Sequence, residues 1–297
     1  ASLAGGCSRG DPSPDTPILS VRPTSSDAPP PDVTASRGQA AATPLPRRSA
    51  APTAATELPP GLEVSRLTGL ELDGVPQDGV LVRVDLARML VEPRAVPGRD
   101  LAALGDDPSL LLAVNAGYFE ANGAPTGLLA REDVAYGVAG RRGGTGVLVV
   151  RERRATLVPF TAAFELRGPA ELAVQAGPRL VEADGRPGIR TDDGQRAPRT
   201  VLCLGEGGRR IDLVLVWRAS NPLEGPGLFA LSRALSKPLL APDPRRCEQA
   251  LNLDGGPSTG LVLRRDLRAR DAVRHLPLGP VPWALAVRPR PTGAPGP

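Results

Sequence analysis

EQALNLDGGPSTGLVL, residues 248–263, is apolar on both sides of a polar break at Asp254, Gly255 and Gly256. Each side is a short apolar run bounded by turn residues, the signature of a strand. The same form occurs twice upstream, in AVNAGYF (113–119) and AVQAGPRL (173–180), where an apolar strand again ends in a polar residue followed closely by glycine. Glycine after a buried strand permits a positive φ or the close approach of another group, and Asn115, Gln175 and Asp254 project polar groups at the strand ends. One such segment is most simply a turn. Three of the same form point to strand ends that converge on a site.

The surrounding sequence reads mainly as strands. LEVSRLTGLEL (62–72) and GVLVRVDL (79–86) alternate apolar with polar residues across a turn-rich connection. SLLLAVNAG (109–117) is the continuous apolar run of a strand buried on both faces. GTGVLVVRERRATLVPF (144–160) and TVLCLGEGGRRIDLVLVWRA (200–219) read as hairpins, turning at 151–154 and 205–208. Helices are few: a short one in RDLAALGDD (99–107), and a clearer one in GPGLFALSRALSK (225–237), with Leu228, Leu231 and Leu235 on one stripe. VPWALAVRP (281–289) supplies the last strand. The pattern predicts an α+β fold, built on a large, mostly antiparallel mixed sheet with a few helices.

Composition sets bounds on function. The chain has 297 residues, with 36 Lys and Arg against 32 Asp and Glu, and Lys237 is the sole lysine, so the basic pI reflects arginine usage rather than a concentrated basic face. No basic block with interleaved aromatics appears, which argues against a nucleic-acid partner. Aromatic residues are only 3% of the chain, so the core is aliphatic. A single histidine, His275, leaves a zinc site of ordinary composition without ligands. It also makes a Ser-His-Asp triad depend on AVRHLPLGP (272–280), a Pro-rich stretch that reads as a surface connection. Cys203 lies inside an apolar strand and reads as core. GEGGRR (205–210) is followed by a strand where a phosphate-binding loop needs a helix.

Residues 1–60 differ from the rest. ASLAGGCSRGDP (1–12) looks like the end of a lipoprotein signal, with small residues leading into Cys7, which implies cleavage before Cys7 and lipid on its sulfur. The plain alternative is an ordinary cysteine in a tail. From Ser8 to Pro60 there are twelve prolines and no aromatic residue, a composition that buries too little to offset ordering entropy and reads as an extended spacer. The expected organisation is a signal remnant and Pro-rich linker over 1–60, one folded domain over 61–290, and a short tail over 291–297. Attachment to a membrane is expected through the lipid anchor only, since no run reaches the ~20 apolar residues of a span.

VNAGYFEANGAPTGLL (114–129), VQAGPRLVEADGRPG (174–188), APRTVLCLGEGG (197–208) and ALNLDGGPSTGLVL (250–263), in this order, resemble the motifs of the phosphodiester glycosidase family. The resemblance covers roughly residues 62–287 and is nearest to short bacterial members, commonly described only as exported proteins. It implies a cleft lined by Asn115 and Gly117, by Gln175 and Gly177, by Arg199 and Thr200, and by Asp254, Gly255, Gly256, Ser258 and Thr259. Pro257 departs from the family's small residue and removes one amide donor from the loop.

The implied reaction suits these residue types. Breaking the anomeric C–O bond of a sugar 1-phosphodiester expels a phosphate monoester, already anionic, so the second carboxylate that ordinary glycosidases use on an alcohol is not required. Asp254 is expected to stabilise oxocarbenium-like charge, and Arg199 to hold the phosphate with a bidentate guanidinium. Gly255 and Gly256 amides with Ser258 and Thr259 hydroxyls would hold phosphate or sugar oxygens. Asn115 and Gln175 would bind sugar hydroxyls. A purely structural reading competes at each position: Asp254 as a turn cap, Arg199 as a surface arginine, Ser258 and Thr259 as turn residues. If a second carboxylate takes part, Glu120, Asp184 and Asp192 are open choices.

The resulting expectation is an exported, lipid-anchored hydrolase acting on phosphoglycan in envelope or extracellular material. The alternative is a non-catalytic envelope module that binds phosphorylated polysaccharide. No cofactor is expected; Asp254 and neighbouring carbonyls offer oxygens to a divalent cation, but without an acidic cluster dense enough for a dedicated cage.

Overall fold

The computed structural model describes residues 56–165, 168–237, 247–268 and 275–291. The expectations for Cys7, for the spacer up to residue 55 and for residues 292–297 lie outside this set.

Three antiparallel sheets share one core. In spatial order the six-stranded sheet contains Arg179–Val181, Gln249–Asn252, Arg199–Gly205, Arg210–Arg218, Val75–Asp85 and Leu62–Leu72. The five-stranded sheet runs Val134–Gly137, Leu129–Glu132, Ala170–Ala176, Gly146–Arg151 and Arg154–Pro159. The four-stranded sheet runs Leu261–Leu263, Leu112–Asn115, Trp283–Pro289 and Met89–Ala95. We label the strands that carry the four motifs β1 (Leu112–Asn115), β2 (Ala170–Ala176), β3 (Arg199–Gly205) and β4 (Gln249–Asn252). Both predicted hairpins form, with Gly146–Arg151 on Arg154–Pro159 and β3 on Arg210–Arg218.

The single large sheet expected from the sequence is therefore divided into three antiparallel sheets, beside a two-stranded parallel pair of Thr56–Glu57 with Leu267–Arg268, and the fold is largely β. Strand alternation explains why. In β3, Leu202 and Leu204 enter a central core also fed by Val114 of β1 and Val174 of β2. Val201 and Cys203 point the other way, onto Leu231 and Leu235 of the helix Leu228–Leu235, the one α-helix among the described residues. The other two sheets repeat the scheme. Ala113 faces Leu101 and Leu104 of a 3₁₀ segment, Leu101–Asp106, and Val147 and Val149 pack with Ala163 of another, Phe160–Glu165. The central strands of these sheets are thus buried on both faces, which erases polar alternation from their sequence, while outer strands such as Leu62–Leu72 keep it. RDLAALGDD forms its predicted helical turn as 3₁₀.

Cys203 is joined to Cys247 by a disulfide across 44 residues of chain, tying β3 to the segment that leads into β4. The core reading of Cys203 is correct as to burial but missed its partner, because Cys247 lies far away in sequence and no spacing rule connects them.

Candidate active site

The ends of β1, β2 and β4 and the start of β3 meet at one place. Asn115, the last residue of β1 and only 1% exposed, organises the meeting. Its Oδ1 accepts the Thr200 hydroxyl at 2.7 Å and the Gly260 amide at 3.1 Å, while its Nδ2 donates to the Asp254 carbonyl at 2.7 Å. The Asp254 amide returns a bond to the Ala116 carbonyl. One buried amide side chain therefore fixes the first, third and fourth motifs together.

Tyr118 ties in the second motif. Its hydroxyl donates to the Gly177 carbonyl and accepts from Asn252 Nδ2 at 3.2 Å; the same Nδ2 also lies 3.1 Å from the Gly177 carbonyl. Two glycines let these chains close. A methyl group at Gly117 would sit 2.7 Å from the Gln175 carbonyl oxygen, and one at Gly177 would sit 2.6 Å from the Thr145 amide.

At the centre lies the loop from Asp254 to Gly260. The Asp254 carboxylate accepts the Gly255 amide at 2.9 Å and is bonded to Ser258, yet burial outweighs both bonds and holds its pKa above the usual 3.8. Arg199, at the start of β3, lies against this loop. A side-chain carbon added at Gly255 would be 3.6 Å from Arg199 Cδ and 3.8 Å from Nη1. Arg199 is 8% exposed, donates from Nε to the Pro226 carbonyl at 3.3 Å, and forms no salt bridge among the described residues. Burial pulls its pKa down. Tyr118 is close enough to feel both charges, Asp254 raising its pKa and Arg199 lowering it, although burial is the main cause of its upward shift. The acid, the guanidinium and the phenol thus occupy one locality.

Several of the groups expected at the site have hydrogen-bond partners inside the protein. Gln175 is 2% exposed, and its amide is saturated: Oε1 accepts from Leu128 and Gly140 amides at 3.2 and 3.0 Å, and Nε2 donates to the Gly140 and Gly144 carbonyls. Asn115 and Thr200 are committed to each other and to the loop. These side chains brace the site from within. The Gly255 amide donates to the Asp254 carboxylate, and the Gly256 amide to the Pro198 carbonyl at 2.8 Å. Gly256 has φ +59° with open space where a side chain would go, which leaves a gap above the loop. Pro257 is exposed in a 3₁₀ turn, and its carbonyl takes the Leu278 and Gly279 amides.

Ser258 is buried against Asp254, and Thr259, also buried, has a hydroxyl oxygen without a partner among the described residues. The three open choices for a second carboxylate are all ion-paired: Glu120 with Arg142, Asp184 with Arg186, and Asp192 with Arg196. His275 stacks on Trp217 at 4.1 Å between ring centroids, with its pKa lowered by burial. Among the described residues no group of three His, Cys, Asp or Glu side chains gathers as a metal-binding set.

Sequence reasoning missed Asn252 and Pro226 as site-building residues and did not single out Tyr118 as one. The first two act through a side-chain amide and a backbone carbonyl whose partners are distant in sequence, so no local signal marks them. Tyr118 lies inside a quoted motif and was visible there.

The phosphodiester glycosidase family model matches residues 109–288, more than half of the chain, and the chain belongs to that family. Among solved structures it is similar to the catalytic domain of zebrafish N-acetylglucosamine-1-phosphodiester α-N-acetylglucosaminidase, auto-inhibited by its pro-peptide. That match has 18% identity, covers 80% of this chain and 87% of that one, and has a TM-score of 0.54. It is also similar to a hypothetical protein from Synechocystis, at 17% identity over 78% of this chain and 69% of that one, with a TM-score of 0.48. No curated protein matches the chain.

Proposed function

We propose that this protein is a hydrolase that cleaves a sugar from a glycosyl-1-phosphodiester in envelope or extracellular glycans. The observation that carries the reading is Arg199, a buried guanidinium that forms no salt bridge among the described residues and, of the carboxylates, feels only the more distant charge of Asp193, lying against the loop of a buried carboxylate. An unpaired buried cation costs stability, and an anionic ligand offsets that cost. Arg199 holds the phosphate. Asp254, ionised, faces the anomeric centre and stabilises the positive charge that grows there as the C1–O bond breaks. The phosphomonoester leaves with the bonding electrons and needs no acid. Water adds to C1, and its proton passes to Asp254 or to the departing phosphate. Tyr118, held by Asn252 and Gly177, keeps the wall between the two charges rigid.

The reading includes export, which suits a substrate in envelope or extracellular glycans. A disulfide between Cys203 and Cys247 fits an oxidising compartment, and the sequence around Cys7 has the form of a lipidation site. No helix among the described residues is long and apolar enough to cross a membrane.

The test is release of free sugar and phosphomonoester from a panel of sugar 1-phosphodiesters by the purified chain and by Asp254→Asn. Release by the native chain and its loss in the variant is the expected result. Equal release by both would remove Asp254 from the reaction. Binding of the diesters without release would make the protein a phosphoglycan-binding module.

A further inference from the structure

Exposed apolar side chains are unevenly placed on the molecule. Of the six large ones among the described residues, three lie in a single stretch: Val134, Tyr136 and Val138, at 54%, 38% and 80% exposure. The stretch begins as the strand Val134–Gly137, an outer strand of the five-stranded sheet, paired on one side with Leu129–Glu132 and on the other with no strand. Beyond it the backbone is again extended at Gly140, with φ −158° and ψ 160°, where the N–H and C=O are bonded to Gln175. Alternate residues of an extended chain share a face, so the two valines flank the tyrosine in one row. Tyr136 rests against Trp283 at 4.7 Å between ring centroids and keeps its other side open.

An unpaired apolar edge is a template for one more strand. Natural edges are commonly blunted by a charge or a proline within the strand, and residues 134–138 contain neither. Charge stands at the two ends instead, with opposite sign: Glu132 and Asp133 precede the stretch, and Arg141 and Arg142 follow it. Glu132 and Arg142 have ion-pair partners in their own chain, Arg131 and Glu120. Asp133 and Arg141 are exposed and form no ion pair among the described residues. A stretch that is acidic at one end and basic at the other is complementary to itself run in reverse.

We propose that this edge pairs antiparallel with the same edge of a second copy, about a two-fold axis at Gly137, joining the five-stranded sheets of two molecules into one. A two-fold contact uses the same patch on both molecules, so every pairing occurs twice. With Gly137 opposite its own copy, Tyr136 faces Val138 of the partner subunit, Ala135 faces the partner's Ala139, and Asp133 faces Arg141 of the partner subunit. Aromatic–β-branched and opposite-charge cross-strand pairs are stabilising, and like charges directly opposite are destabilising. Sliding the pairing by one residue sets Tyr136 against the partner's Gly137 or the partner's Ala139 and loses the aromatic–valine contact, which fixes the register. None of these residues belongs to the Arg199–Asp254 locality, so the inference is independent of the reaction.

Sedimentation velocity of the purified chain over a wide range of concentration is expected to show a monomer–dimer equilibrium. Asp133→Arg sets arginine against Arg141 of the partner subunit, and Arg141→Asp sets aspartate against the partner's Asp133; each is expected to weaken association about ten-fold or more. Mixing the two variants restores opposite charges at both contacts, and the mixture is expected to associate within about three-fold of the native chain. Val138→Lys breaks the apolar row at an exposed position and is expected to weaken association as much as either charge reversal. All three positions are exposed, and unchanged far-ultraviolet circular dichroism confirms that each variant is folded. A native chain that stays monomeric would overturn the proposal. So would a dimer indifferent to the three substitutions, or one that the charge reversals break and their mixture fails to rebuild.

Discussion

The Thr200 hydroxyl donates to Asn115 Oδ1 at 2.7 Å, inside a site where both residues are almost wholly excluded from solvent. The same Asn115 holds the Asp254 carbonyl through its Nδ2. Removing this amide leaves the Thr200 hydroxyl and the Gly260 amide unsatisfied in the interior. Each such group costs about 1–3 kcal/mol. Asn115→Ala is therefore expected to lose roughly 3 kcal/mol, read as a lower urea midpoint at unchanged slope. An unaltered midpoint would contradict the bonding described.

Asp254 titrates above its ordinary range because burial disfavours the carboxylate. Its folded pKa exceeds the unfolded value of 3.8, so its contribution to stability is fully present below 3.8 and is lost as pH rises through the folded value. Asp254→Asn removes that dependence. The variant should gain in urea resistance relative to the native chain as pH rises through the same window, with the difference levelling off above it. The acid limb of kcat/KM should likewise lie above pH 3.8, where Asp254 ionises. Sugar release should drop by about 100-fold or more in the variant. A native acid limb at or below 3.8 would argue against Asp254 as the ionised group.

Arg199 poses stability against function. Its guanidinium is desolvated and lacks a carboxylate partner among the described residues, so replacing it with an apolar side chain of similar length relieves a cost. Arg199→Met is expected to unfold at a higher urea concentration, by about 1 kcal/mol, while phosphate-ester binding weakens at least ten-fold. A variant that is both less stable and unchanged in binding would show that the guanidinium serves the fold.

The Cys203–Cys247 bridge closes a segment of 44 residues, and loop-closure entropy for that length gives about 4 kcal/mol in the simple chain model. Reduction with dithiothreitol should lower the urea midpoint accordingly. Because Cys203 packs against the helix side of β3 and not against the Asp254 loop, the reduced chain should keep its affinity for phosphate esters while it remains folded.

How much of this was legible in the sequence depended on the range of the interaction. Strands and hairpins were visible because alternation and turn residues are local, as in 146–159 and 199–218. The polar residue and glycine at three strand ends marked the site, since Gly117 and Gly177 stand where no side chain fits. What a polar group does once there was not legible. Gln175 reads equally well as a ligand donor or a saturated internal brace, and the choice rests on carbonyls 31 and 35 residues away. Division into three sheets was hidden for a related reason: a strand buried on both faces, such as Thr200–Leu204, carries no mark of which sheet it joins.

Asn115 reaches 85 residues to Thr200, 139 to Asp254 and 145 to Gly260. Contacts of such span close late, since the entropy of the intervening loops must be surrendered first. The site is therefore expected to be assembled only after the local hairpins have formed. Recovery of hydrolysis after dilution from urea would time the last closure, and would trail the return of β-sheet circular dichroism.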